Sequence, residues 1–167
     1  MNRALLPGTY LMINWKQDMN EKIELFTNGS CIGNPGPGGW AYLLRQSEEE
    51  ALTGGSEKYT TNNRLELIAA IKGLEAAKPN SKVHVFTGSK YVVDGITCWI
   101  KKWKAQGWLL HRFTIQSVKN TELWQQLDKL CQSREVTWEW VRSRSAPTES
   151  KQVDAEARKQ SKLARAA

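Results

Sequence analysis

Alternation is the first signal along the chain. Lys22–Thr27 (KIELFT) switches between polar and apolar residues and is followed by a Gly/Pro cluster at Gly33–Gly39, which predicts a strand and then a turn. Trp40–Arg45 and Ala51–Tyr59 predict two more antiparallel strands, with charged Glu48–Glu50 as a solvated tip between them. The period then changes. Thr60–Asn63 offers N-cap chemistry, and Leu65, Leu67, Ile68, Ile71 and Leu74 recur at helical spacing until Lys78-Pro79-Asn80. Val83–Thr87 predicts a short strand, and Ser89 onward a helical stretch broken near Gly107. Thr121–Gln132 is amphipathic through Leu123, Leu127 and Leu130. Glu135–Val141 predicts the last strand and Thr148 to about Ala164 the last helix. Strands first, then helices alternating with strands, predict an α/β domain in which helices flank a mixed sheet.

Composition narrows the class. A length of 167 residues suits one compact domain, and 40% hydrophobic with 25% charged residues excludes a disordered tail. No apolar run approaches the roughly 20 residues that cross a bilayer, so no membrane partner is expected. Met1–Trp15 is mildly apolar but interrupted by Pro7 and Asn14, a poor secretory signal that leaves organelle targeting open. Three cysteines (Cys31, Cys98, Cys131) are too few and too unevenly placed for a disulfide framework or a zinc site, and point to a reducing, cytoplasmic compartment. The net charge of +7 favours polyanions. Lys101, Lys102, Lys104 and Arg112 stand together without an acid, interleaved with Trp103 and Trp108. A second basic run, Lys151–Ala167, reads as a solvated helix face.

The motifs are specific. Phe26–Gly39 (FTNGSCIGNPGPGG) resembles the opening signature of type 1 ribonuclease H, and Thr60–Leu67 (TTNNRLEL) is similar to that family's second motif. Thr87–Val92 (TGSKYV) resembles its third, Trp99–Trp108 the basic protrusion of bacterial members, and Trp138–Val141 the approach to its fourth. The match runs in order from about Glu21 to about Leu163, so the domain is set at 21–164, with 1–20 as an N-terminal extension and 165–167 as a C-terminal end. The resemblance implies the ribonuclease H-like fold, a five-stranded mixed sheet flanked by helices, and hydrolysis of the RNA strand of an RNA/DNA hybrid. It also implies four carboxylates around two Mg²⁺ ions, one activating water and the other stabilising the leaving oxygen.

Against that pattern the chain departs at the centre. Asn28 stands at the position of the bridging aspartate, and an amide offers one neutral oxygen where two charged ones are needed. Glu66 is kept; the third aspartate is Gly88; the fourth position is Asp154. The proton-shuttling histidine aligns with Arg144, which keeps its proton at any physiological pH, and the glycine beside it is Ser143. Two carboxylates remain, so any Mg²⁺ or Mn²⁺ binding by Glu66 and Asp154 is expected to be weak and cleavage severely impaired or absent. Glu66 and Asp154 read more readily as remnants salt-bridged to Arg144 than as a one-metal site.

The residues that grip substrate are better kept. By resemblance, Cys31, Asn34, Asn62 and Asn63 contact the hybrid's backbone and minor groove, and Thr61 with Asn34 matches a pocket for a phosphate of the DNA strand. Trp99, Trp103 and Lys104 match the protrusion, with Lys101 and Lys102 beside them, and Lys90 places a cation where a groove-reading glutamine is common. Trp99 and Trp103, spaced i,i+4, also read as one apolar helical face. Trp40, Trp124, Trp138 and Trp140 read as packing residues, and His84 and His111 as side chains without a ligand role. The expected protein is a non-catalytic binder of RNA/DNA hybrid or other A-form-like duplex. The alternatives are a hybrid nuclease with altered metal dependence and a structural subunit whose former substrate face binds protein.

Overall fold

A five-stranded sheet in the order β3-β2-β1-β4-β5 organises the molecule. The computed structural model describes residues 22–167, and for Ser143 the backbone alone; the 1–20 extension and its Met1–Trp15 opening lie outside the described residues. The strands are β1 (Lys22–Cys31), β2 (Gly36–Gln46), β3 (Glu49–Thr60), β4 (Lys82–Thr87) and β5 (Glu135–Trp140). β1 pairs antiparallel with β2, which pairs antiparallel with β3, whereas β1, β4 and β5 run parallel. The expected mixed sheet is present.

The helices are α1 (Asn62–Ala76), α2 (Lys90–Asp94), α3 (Ile100–Ala105), α4 (Thr121–Gln132) and α5 (Thr148–Ala166). Thr61 caps α1 by accepting from the Arg64 N–H, and Ser89 caps α2 by accepting from Val92. Ile23 and Leu25 of β1 join Leu67, Ile71, Leu74 and Trp124 in the larger core under α1 and α4. Phe26 of β1 points the other way, with Ala41 and Leu43, onto Val153 and Ala157 of α5. The alternation along β1 thus feeds both faces of the sheet.

Several boundaries differ from expectation. Two more four-residue stretches than foreseen are strand: β1 continues to Cys31 because it pairs with β2 as far as Cys31↔Gly38, and β2 begins at Gly36 inside the Gly/Pro cluster because Gly36 pairs with Thr60 of β3. The tip of the β2–β3 hairpin is Ser47, with φ +58°, and Glu48; Glu49 and Glu50 already belong to β3. Between α2 and α3 lies a π-helical turn, Gly95–Trp99, and the break follows at Gly107, with φ +63°. A Cβ on Gly95 would sit 2.0 Å from the Trp124 ring, so the widened turn brings backbone against indole. α5 runs on to Ala166, through the residues set apart as a C-terminal end.

Candidate active-site cleft

β1, β4 and β5 end at the same edge of the sheet, with Thr27 level with Thr87 and Thr87 level with Trp140. A cleft of about 490 Å³ opens there, lined by Asn28, Gly88, Trp140, Arg142, Lys151, Asp154 and Arg158 among others. Carboxyl ends of parallel strands are where open α/β sheets usually place ligands. α1 reaches the same place from the other side. A Cβ on Gly29 would lie 2.8 Å from Leu65 Cβ and 2.9 Å from the Glu66 nitrogen, so glycine lets α1 approach β1 and sets Glu66 behind Asn28.

The polar groups at the centre satisfy one another. Asn28 Nδ2 donates to Asp154 Oδ1 at 3.1 Å, and Asn28 Oδ1 accepts from the Gly29 N–H at 2.9 Å. Arg158 Nε lies 3.0 Å from Asp154 Oδ2, so each carboxylate oxygen of Asp154 faces a donor. Glu66 is buried, with Oε2 without a hydrogen-bond partner among the described residues. Burial pushes its carboxyl up to about 8, opposed by the Gly29 N–H and reinforced by the negative charge of Asp154. At neutral pH Glu66 is therefore mostly protonated. Gly88 leaves open space: a Cβ there meets Asn28 alone, its Oδ1 at 3.6 Å. Among the described residues, no three His, Cys, Asp or Glu side chains are grouped closely enough to hold a metal ion.

Fold, strand order and motif positions coincide with one family, whose RNase H profile matches residues 20–162. The chain belongs to the RNase H family. Ribonuclease H of Nitrosococcus oceani is 46% identical over 140 residues, covering 84% of this chain and 94% of that protein. Among solved structures, LC9-RNase H1, a type 1 RNase H with the type 2 active-site motif, superposes with a TM-score of 0.74 at 25% identity, over 86% of this chain and 73% of that one. LC11-RNase H1 in complex with RNA/DNA hybrid shares the fold with a TM-score of 0.60 at 19% identity, over 85% and 98% of the two chains.

In this RNase H chain the motif residues fall into two places. Asn28, Gly88 and Asp154 line the cleft, and Glu66 is buried behind them against the Gly29 N–H. Arg144 does not bridge Asp154, contrary to expectation; it sits exposed in a short 3₁₀ turn (Ser143–Ser145), and Arg158, one helical turn from Asp154, takes the partner's role. Cys31, Asn34 and Thr61–Asn63 gather at the start of α1. Asn34 Oδ1 accepts from the Asn62 N–H at 3.0 Å, and Cys31 Sγ donates towards the Thr60 and Gly36 carbonyls. Burial pushes the Cys31 thiol up, away from nucleophilic use.

The protrusion is divided in its roles. Trp103 packs against Trp124 with tilted rings, centroids 5.3 Å apart, while Trp99 stays half exposed over Trp103 and edge-on to Tyr91. Lys104 pairs with Asp128 at 2.8 Å and Lys90 with Asp94, so neither is a free cation; Lys101 and Lys102 are exposed. Glu50 is likewise paired, with Arg45 at 2.9 Å, and is not merely solvated. His84 has partners on its own face of the sheet: Glu139 at 2.9 Å and Thr137 at 2.9 Å.

Two features lie outside the motif-based expectation. Trp140 lines the cleft instead of packing inside, donates from Nε1 to the Gly88 carbonyl at 3.3 Å, and carries the Arg142 guanidinium 4.8 Å above its ring. Lys151 and Arg158 enter the cleft from α5. Their spacing from Asp154, three before and four after, places all three on one helix face and is the sequence signal for them.

Proposed function

We infer that this RNase H family member binds RNA/DNA hybrid, or another A-form-like duplex, without cleaving it. The observation that carries the reading is the Asn28–Asp154 hydrogen bond. It occupies with an amide N–H the point at which two carboxylates would have to share a cation. The donor set does not suit a pair of Mg²⁺ ions. Asn28 is neutral, Gly88 supplies nothing, Glu66 is mostly protonated at neutral pH, and Asp154 is engaged by Asn28 and Arg158. Hard divalent cations need anionic oxygens in near-octahedral array, and one available carboxylate does not provide it. Arg144 holds its proton and serves no base.

What replaces the metals is fixed positive charge. Arg142, Lys151 and Arg158 line the cleft against the single charged carboxylate of Asp154. A phosphate of the RNA strand has cationic partners there without any divalent ion. The short polar side chains at the start of α1 supply donors suited to backbone and 2′-hydroxyl contacts.

The test measures binding and turnover together. Anisotropy of a labelled hybrid is followed in Mg²⁺ and in EDTA at one ionic strength, with a gel assay in Mg²⁺ and in Mn²⁺. Binding is expected to survive EDTA and to fall linearly on a log–log salt plot, with no product. Loss of binding in EDTA, or steady turnover with either metal, would favour the second reading, a nuclease with altered metal dependence. That reading draws on Glu66 and Asp154 being in place and on the relatives named ribonuclease H.

A further inference from the structure

α5 distributes its charges unequally around its axis. Lys151, Arg158, Lys162 and Arg165 are all exposed, and at steps of seven, four and three residues they fall along one stripe of the helix. Val153, Ala157, Ser161 and Ala164 form the buried opposite face. Two of the helix's acids, Glu149 and Glu156, are directed elsewhere; Asp154 lies on the same face as Lys151 and Arg158 and pairs with Arg158. Glu149 binds Arg45 at 2.8 Å, Glu156 turns towards Gly54 and Gln160 at the sheet edge, and Asp154 is held by Asn28 and Arg158. The stripe therefore has no free carboxylate among the described residues.

It is also continuous with the cleft. Lys151 and Arg158 line the cleft itself, and Arg158 borders a second, shallow hollow with Ala155, Lys159, Lys162 and Leu163. From Lys151 to Arg165 the helix rises about 21 Å, equal to about six phosphate steps of one duplex strand.

We propose that nucleic acid seated in the cleft continues along α5, whose Lys151–Arg158–Lys162–Arg165 stripe is a second backbone-tracking surface. The proposal rests on the duplex-binding reading above and extends it. A polyanion with evenly repeated charge fits a row of cations; base identity is not read, since only charged heads are presented. A membrane fits less well, because the stripe carries only Ala155 and Leu163 as apolar neighbours and none of the aromatic residues that anchor an interfacial helix.

The experiment uses the full chain, wild type and Lys162→Glu/Arg165→Glu, with hybrids of about 10 and about 24 base pairs. Both substitutions are exposed, and a thermal melt confirms folding. The wild type is expected to bind the longer hybrid more tightly and with a steeper salt dependence than the shorter. The variant is expected to lose that gain, its salt slope on the longer hybrid falling by about two. An unchanged slope and unchanged length dependence in the variant would overturn the track while leaving cleft binding intact. Failure of the wild type to bind either hybrid would overturn the duplex-binding reading and the track with it. A variant that loses binding to phosphatidylserine vesicles but keeps its length dependence on hybrids would assign the stripe to a membrane instead.

Discussion

Asn28 and Asp154, 126 residues apart in sequence, are joined by a 3.1 Å hydrogen bond in which the amide is the donor. The bond links the middle of the sheet to α5 across the cleft. It also fixes the amide's orientation, because Oδ1 is committed to the Gly29 N–H.

Asn28→Asp reverses the sign of that contact. With no metal present, two carboxylates then face each other with Glu66 behind them, and the metal-free protein is expected to lose about 1–3 kcal/mol. Added Mg²⁺ is expected to return part of the loss, read as a rise in Tm. Combining Asn28→Asp with Gly88→Asp and Arg144→His is expected to give Mg²⁺-dependent hybrid cleavage on a gel. A well-folded triple variant with no cleavage would show that the substrate surface has changed as well.

Gly39 of β2 and Gly88, just past the end of β4, should respond very differently to alanine. At Gly39 a Cβ would lie 2.3 Å from the Ala157 carbonyl oxygen and 2.5 Å from the Ser161 nitrogen, backbone that cannot turn aside. Gly39→Ala is expected to cost roughly 2–4 kcal/mol in urea denaturation as α5 is forced off the sheet. Gly88→Ala meets Asn28 Oδ1 at an ordinary 3.6 Å and is expected to change stability by less than about 0.5 kcal/mol.

Glu66 gives the fold a pH signature. Its carboxyl titrates near 8 when buried and near 4.5 when unfolded. Between those values the unfolded chain has lost the proton that the folded chain keeps, so stability falls as pH rises, by up to about 1.4 kcal/mol per pH unit from this group. Below pH 4.5 the group contributes no slope, and above 8 the penalty is complete. Glu66→Gln removes the titration. Its stability relative to wild type should therefore improve from pH 4.5 to pH 8, measured by urea midpoints across that window.

Arg45 ties three elements together at the opposite end of the sheet. It meets Glu24 of β1 at 3.3 Å, Glu50 of β3 at 2.9 Å and Glu149 of α5 at 2.8 Å. The guanidinium is about one-third exposed, so solvent screens the network. Arg45→Met is expected to cost about 1 kcal/mol at low salt, with the deficit shrinking at about 1 M NaCl. A deficit independent of salt would mean that lost packing against Phe26, whose ring lies 5.8 Å away, dominates.

The periodic parts of this fold are the parts its sequence announces. Both α1 and the run Thr121–Gln132 form the helices their spacing implies; the latter buries its one apolar face through Leu123, Trp124 and Leu127, whereas α1 is buried all round from Leu65 to Ile71. Local composition misleads where pairing decides. Gly36–Gly39 looks like a turn, yet pairing with β1 and β3 holds it extended, and a helix-forming stretch widens at Gly95 to fit Trp124. The carboxylate positions of the cleft are legible because motifs carry them. Lys151, Arg158 and Trp140 are less so: their cleft roles come from a helix face and a strand end that meet only in three dimensions.

Gly29 has a wider bearing than the approach it permits. The closest approach of α1 to Gly29 is made by backbone and the Leu65 side chain, so it does not depend on the charge of Glu66, whose carboxyl faces the Gly29 N–H. Scaffold and reagent are thereby separable in this architecture. Side chains of the cleft can be exchanged for others while the frame that presents them stands unaltered.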